Sequence, residues 1–596
     1  MKKLALVLAV VMVLSLGLTA CGGSTSSTGT ASSAPAGSSS SGSASDAAPA
    51  YNPDALQVKA LDDNTLQVTL TARTPYFLEL TAFPAYAPVQ QATVEANGEA
   101  WAVDAATYIG NGPYKIAEWV PSSHITMVKN ENYWNVDSLA GPDTLQFTLM
   151  EDDAAQLTAF QSGELDFIDA VPNDEIDTLS STPEFYKEGQ IGTYYVSYNV
   201  EAAPFDDPLV RQAFTLAVDR DYICKQIGKS GQIPAGAFVS EGLSDAAEGS
   251  SFREVGGDYY DPTAGANEAN LAKAKELLAE AGYPNGEGLP TITYLYNEGT
   301  GHQQIGEALQ QMWGQLGATV TLESQEWATF LNTRKNGDYQ VARNGWLGDY
   351  NDPISFLDMW ITGGGNNDAQ WSNAEFDSLI KQIKSSGDAE ARMEMMHQAE
   401  DIIFDEWMLC PIYYYVDIYM AQQNLENLST SPLGFKFFMN ASNGTDTLKV
   451  CTGPDPDTID PALNSAVDGG TMIDHAFEGL YTVAYGTTPT PGQAESVEIS
   501  EDGLTYTFHL REGLKWSDGT PLTAHDFVYS WQRAVDPATG ADYAYMFECI
   551  AGYTEAINGE EYVAPAADAS SASTSESAAE SVSASTSESA STSAAA

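Results

Sequence analysis

Basic residues are scarce in this chain. Across 596 residues, 25 Lys and Arg stand against 82 Asp and Glu, a formal net charge of −57. Such a surface repels a phosphate backbone, which excludes non-specific nucleic-acid binding and favours solubility. Histidine is scarcer still: there are six, none spaced i, i+4, and neither an HExxH nor an EF-hand pattern occurs, so no metal is expected. The five cysteines contain no CxxC or CxxxC pair, which removes a zinc ribbon and a dithiol redox motif. No GxSxG is present. Gly228-Lys229-Ser230 ends like a phosphate-binding loop, but Ile223 stands where the earlier glycine is required. The chain therefore offers no catalytic motif and calls for no cofactor; any ATPase must be a separate subunit.

Long apolar runs are also few. Leu4–Leu18 is the most prominent, too short for a bilayer core of about 30 Å, which needs roughly 20 helical residues. Preceded by Lys2 and Lys3, it has the flanks and length of a signal-peptide core. Leu18-Thr19-Ala20-Cys21 resembles a bacterial lipobox, which implies cleavage after residue 20 and lipidation of the Cys21 thiol. Residues 21–50 are almost all Ser, Gly, Ala and Thr and read as a flexible tether. Two acyl chains suffice for stable attachment, so the expectation is a lipid-anchored protein on the extracytoplasmic face of the cell membrane. Cys224, Cys410, Cys451 and Cys549 remain, and three full pairings are open to them.

The body is long enough for two or more lobes, and its 30 Tyr and 11 Trp suit an aromatic-lined cleft. Leu66–Leu70 alternates with period two and predicts a strand. Ala269–Ala281 predicts a helix stopped by Gly282 and Pro284. Thr291–Tyr296, Gln303–Leu316 and Thr319–Leu322 then read strand, helix, strand, an α/β order that predicts a mostly parallel sheet. Asn440–Asp446 is a polar joint with a turn-like Asn-Gly. Beyond it, Leu448–Cys451, Leu504–Leu510 and Leu514–Trp516 read as strand-like and Ala524–Ala534 as a helix. Residues 564–596 are Ser/Ala/Thr/Glu-rich, with SASTSESA repeated, and read as a disordered tail.

Ala494–Trp516 (AESVEISEDGLTYTFHLREGLKW) resembles the signature of the solute-binding proteins of ABC importers, peptide/nickel group (family 5). Asp457–Pro461, Trp516–Tyr529, Gly110–Tyr114, Ala203–Arg211, Phe214–Arg220, Asn344–Leu357 and Leu409–Tyr415 resemble further family segments, and together they cover nearly all of 51–562. Their order differs. The family would run from Thr447 to Tyr562 and then from Tyr51 to Met439, so the chain resembles a circular permutant: 51–440 carries the C-terminal three-quarters of the fold and 441–563 the N-terminal quarter. Seven extended residues span at most about 25 Å, so the joint requires the old termini to be neighbours.

The resemblance implies an α/β, type II periplasmic-binding-protein-like fold with two lobes and a smaller subdomain. Lobe I would combine about 106–225 with 420–485, lobe II would be 226–419, and the subdomain would join 486–563 to 51–105. The ligand would lie between lobes that close in a hinge motion. A free peptide is a zwitterion with a regular backbone, so its receptor should hold the ends by opposite charges and the backbone by hydrogen bonds. Asp349 matches the family acid for the α-amino group. Arg343, Arg334 and His302 match cationic positions that reach the carboxylate. Gly345–Leu347 and Asp455–Asp457 match flanking strands, with Asp455 where the family has a glutamate. Trp346 and Trp327 would form pocket walls, and Asn199 would lie near the cleft. The implied partners are short peptides and the permease and ATPase subunits of an importer, the receptor itself being a monomer. A pheromone receptor on the same scaffold and, in a different class, a peptide hydrolase are the alternatives.

Overall fold

The computed structural model describes residues 50–247, 249–484 and 488–564. The leader 1–20, Cys21, the tether to residue 49 and all but the first residue of the 564–596 tail lie outside the described residues. In chain order the strands are β1 (Val58–Asp62), β2 (Thr65–Thr69), β3 (Tyr114–Val120), β4 (His124–Lys129), β5 (Thr144–Leu149), β6 (Phe167–Ile168), β7 (Phe185–Tyr198), β8 (Ile233–Pro234), β9 (Ile292–Asn297), β10 (Val320–Gln325), β11 (Val341–Leu347), β12 (Leu409–Ala421), β13 (Ser429–Thr430), β14 (Lys436–Phe437), β15 (Thr447–Gly453), β16 (Tyr481–Thr482), β17 (Thr490–Pro491), β18 (Ala494–Ile499) and β19 (Thr505–Leu510).

One large sheet runs β10-β9-β11-β7-β12-β6-β15-β5-β4-β3. At one end β9, the helix Thr300–Gly314, β10, the helix Trp327–Lys335 and β11 form consecutive crossovers, so β10, β9 and β11 are parallel. The parallel set stops there, because β7 pairs antiparallel with both β11 and β12. β7 and β12, of 14 and 13 residues, are the longest strands in the sheet and join its halves. Gly192–Tyr198 of β7 pairs with β11, whereas Phe185–Gly189 pairs only with the far part of β12. The β12 register slips between Pro411 and Tyr413 and again between Tyr414 and Val416. Such irregularities accommodate a proline inside a strand and re-aim the side chains beside them.

The C-terminal segment is built into this core. β15 lies between β5 and β6, parallel to both, and β18 and β19 complete a four-stranded sheet with β1 and β2. The helix Ala524–Val535 opens on a capping box between Thr523 and Asp526. Its Trp531 packs edge-on to Tyr86 at 4.9 Å and donates to the Tyr86 carbonyl at 2.9 Å. The first and last described segments also meet: Asn52 donates from its backbone to the Ala556 carbonyl at 2.8 Å and from Nδ2 to the Glu560 carbonyl at 2.6 Å. At the joint, Gly141 and Thr144 donate to the carbonyls of Met439 and Asp446. Asn443 Oδ1 accepts from Thr445 N at 2.9 Å beside Gly444, whose φ of +81° suits glycine.

Two local expectations need correction. Leu514–Trp516 forms no strand, only an isolated bridge between Lys515 and Pro521, because Gly513 turns the chain at φ +73°. Asp455–Asp457 is loop, since β15 ends at Gly453. Cys224, Cys410, Cys451 and Cys549 are all buried and unpaired. Burial pushes all four thiols up, Cys224 and Cys549 to about 12 and Cys451 to about 11, which leaves them unreactive near neutral pH. Among the described residues no helix is long and apolar enough to cross a membrane.

A cleft with opposite charges along one strand

Alternation along β11 sets up the site. Val341, Ala342, Asn344 and Trp346 are buried, while Arg343, Gly345 and Leu347 are half-buried and share one face. That face looks into a cavity of about 540 Å³, within the range of small-ligand sites. Its walls come from both halves of the large sheet: Gln156 and Asp169 from one, His302 and Trp327 from the other, and Tyr413 and Tyr415–Ile418 from the long strand β12. Asp349, Arg343, Arg334, His302, Gly345, Trp346, Leu347 and Trp327 all line it.

At the C-terminal end of the β11 face, Asp349 Oδ1 accepts from the Tyr543 hydroxyl at 2.9 Å. Its backbone N–H donates to Ser355 Oγ at 2.8 Å, and that hydroxyl reaches Oδ2 at 3.4 Å. No cation pairs with Asp349 among the described residues, and desolvation raises its carboxyl well above the ordinary range. Hydrogen bonds alone offset this burial incompletely. A ligand ammonium would complete it.

The cationic end is more differentiated than the sequence implies. Arg343 lies over the rings of Tyr194, at 5.3 Å, and Trp327, at 6.0 Å, and has no carboxylate partner among the described residues. Arg334, in contrast, is already neutralised by Asp368, 2.6 Å from its Nε, and Asp368 also accepts from Asn344. His302 sits in the first turn of the helix Thr300–Gly314, with Nδ1 3.2 Å from the Tyr194 hydroxyl. It is neutral rather than cationic, because burial and the adjacent Arg343 charge push its pKa well below the ordinary value. Of the three expected cations, Arg343 is the one free to meet a carboxylate.

Between the poles a Cβ on Gly345 would run into the Tyr415 hydroxyl, so bare backbone faces the cavity there. Trp346 donates to the Ser355 carbonyl at 2.8 Å and thereby braces the Asp349 loop. Asn199, Asp455 and Asp457 are not brought into the cavity. Asn199 is buried and bonds the carbonyls of Gly337 and Tyr339, a structural role. Asp455 accepts from Ser122 N and Asp457 from Asn332 Nδ2 at 3.4 Å; it is Thr452, Gly453 and Pro454 that line the cleft.

Other site residues escaped the sequence reading. Tyr543 and Asp368 lie far in sequence from Asp349 and Arg334, and only the fold joins them, while Ser355 sits in the same Asn344–Leu357 segment as Asp349 but carries no charge to mark it. Tyr194, Tyr413 and Tyr415 stack around Arg343, and the tyrosine-rich runs at 194–198 and 413–415 carried that signal. Lys436, fully buried, pairs with Asp417 at 2.8 Å and Asp169 at 3.4 Å on the cavity wall.

A cavity with an unpaired guanidinium on a strand and an unpaired carboxylate in the turn after it, between sheet halves joined by two long strands, defines a solute-binding protein. The family model described as bacterial extracellular solute-binding proteins, family 5 Middle, matches residues 27–368 and 488–586. The chain belongs to that family, and its α/β fold is of the type II periplasmic-binding-protein class. It is 37% identical to the dipeptide-binding protein DppE of Bacillus subtilis over 385 residues, 64% of this chain and 69% of DppE. It is 35% identical over 400 residues to the oligopeptide-binding protein OppA of the same organism, covering 65% and 71%. The crystal structure of Haemophilus influenzae OppA in complex with RPPGFSPFR superposes with a TM-score of 0.58 at 29% identity, over 62% of this chain and 71% of that one.

Proposed function

We propose that this protein captures short peptides in the cleft and delivers them to the permease of an ABC importer, held at the extracytoplasmic membrane face by lipid on Cys21. The observation that carries the reading is the pairing of opposite vacancies in one cavity. Arg343 on β11 and Asp349 in the turn just past its end are six residues apart, so about 20 Å at most, both line the cavity, and each lacks a counter-ion among the described residues. A zwitterionic peptide lying along the strand would supply both. Relatives that bind dipeptides and oligopeptides support the same ligand class. Calorimetric titration with Ala-Ala-Ala and with its N-acetylated and C-amidated forms tests it. Saturable binding weakened by either block supports the proposal; equal affinity for all three forms refutes it.

The permuted order is part of this reading. Abutting described ends at Asn52 and Ala556, together with a joint tied down by Gly141, Asn443 and Thr144, support a chain whose natural termini were fused at 440–446. On this reading the subdomain is assembled from the two chain ends, and one of them contributes Tyr543 to the ligand site.

A further inference from the structure

The cleft has a charge imbalance that the two poles leave unexplained. Glu151 and Asp468, from one half of the sheet, line the same cavity as Glu298 from the other. None of the three is in an ion pair among the described residues. The cations near the cleft are engaged elsewhere or committed to the carboxylate pole: Lys335 pairs with Asp542, Lys436 with Asp417 and Asp169, Arg334 with Asp368, and Arg343 stacks on Trp327.

An independent observation points the same way. Gln156 is 2% exposed and lines this cavity; its Nε2 donates to the Met150 carbonyl, immediately before Glu151, yet its Oε1 is buried with no donor. Asn297, 9% exposed and next to Glu298, has a buried Oδ1 in the same condition. Glu151 Oε1 and Thr452 Oγ1 also make no hydrogen bond; nor does Asp468 Oδ2, although the Trp327 indole N–H lies near that carboxylate. Buried acceptors without donors are costly, and their convergence on one cavity calls for a ligand rich in N–H groups.

We propose that Glu151, Asp468 and Gln156 from one half and Glu298 and Asn297 from the other form an acidic subsite that takes a cationic side chain, lysine or arginine, of the bound peptide. This rests on the peptide-binding reading above. A metal ion is disfavoured because, among the described residues, no three carboxylate, histidine or cysteine groups are placed to hold one. A lysine or arginine reaches such a site on a long stem and supplies several donors at once. Glu298 also repels Glu151 across the cleft. Burial, then Glu298 and Glu326, raise the Glu151 carboxyl to about 7. Burial chiefly, with Asp457 contributing, raises Asp468 to about 6. A cation between the two halves relieves that repulsion as they close.

The test compares, by calorimetry near pH 8, tripeptides carrying lysine at each position of an alanine background with the same peptides carrying uncharged norleucine. At one position lysine is expected to bind roughly tenfold tighter than norleucine, and the ratio should collapse toward one in Glu151→Gln/Asp468→Asn. Melting curves establish that the double variant is folded, and Glu298→Gln supplies a second variant if it is not. Equal affinity for lysine and norleucine at every position, or a ratio that persists in the variants, overturns the subsite. Binding of calcium alone at micromolar concentration, abolished in the same variants, overturns it in favour of an ion site. If the folded wild type binds no peptide, the underlying reading fails, and the subsite with it.

Discussion

Tyr543 donates its phenolic hydrogen to Asp349 Oδ1 across 2.9 Å, although 194 positions separate them in the chain. The acid that would receive a peptide ammonium is thus aimed by a residue from the C-terminal segment. Asp349→Asn should weaken tripeptide binding by about two to four orders of magnitude, the range expected when one partner of a buried ion pair of about 3–5 kcal/mol is lost. Tyr543→Phe removes one charge-assisted hydrogen bond and should cost about tenfold. In Asp349→Asn, N-acetylation should cause no further loss, whereas in Tyr543→Phe, which keeps the carboxylate, it should still weaken binding. Calorimetry with free and acetylated Ala-Ala-Ala checks the pair; an acetyl effect as large in Asp349→Asn as in wild type would place the ammonium elsewhere.

Arg343 and Arg334 should separate cleanly. Removing Arg343 leaves no buried carboxylate behind, so Arg343→Met should impair binding while changing the melting temperature little. Removing Arg334 strands Asp368, a buried acid, so Arg334→Met should cost on the order of 3 kcal/mol of stability. Urea denaturation beside peptide titration reads both quantities. Equal stability losses in the two variants would show that Arg343 too has a structural counter-charge.

Local order in the sequence was enough to place the helix Ala269–Ala281 and the strand–helix–strand run from Thr291 to Leu322, because each element there has its own periodicity. Family motifs located Asp349 and Arg343. What they could not supply was pairing. The charge state of His302 depends on burial beside Arg343, and the neutrality of Arg334 depends on Asp368, 34 positions away. Asn199 looked like a cleft residue but closes two backbone carbonyls, Gly337 and Tyr339, a role visible only once β7 lies beside the turn before β11. Asp455–Asp457 fell outside because β15 ends two residues earlier than the motif suggests. These misses share one cause, since each turns on contacts between residues distant in sequence.

The raised carboxyls of Glu151 and Asp468 set a pH dependence with a definite sign. Their folded pKa values, about 7 and about 6, exceed the ordinary 4.5 and 3.8. Between roughly pH 4 and 7 the folded chain holds protons that the unfolded chain has released, so stability falls as pH rises through this window. Glu151 is partly solvated, and screening limits its share to about 1 kcal/mol. Denaturation at pH 5 and pH 8 should therefore show a smaller loss in Glu151→Gln/Asp468→Asn than in wild type. The preference for lysine over norleucine should grow over the same interval as the acids ionise. An identical pH slope in wild type and variant would show that the two groups titrate normally.

The permuted order can be undone. A chain beginning at Thr445, running to Glu560, joined to Ala50 through two or three glycines and ending at Asn443 restores the order that the family resemblance implies. The new junction is short because Asn52 already bonds Ala556 and Glu560, and Gly559 lies against Ala50. The new ends open at an exposed turn, where Gly444 has nothing packed against its Cα. The cut removes the Gly444 N–H bond to Ser442 and frees the contacts from Asn443 to Thr445 and Thr447, while β15 keeps its pairing with β5 and β6. The rearranged chain should unfold cooperatively within a few degrees of the original and bind the same tripeptides with affinity within about threefold. Loss of cooperative unfolding would mean that the joint at 440–446 holds β15 in place, and that the present order of segments is itself required for the fold.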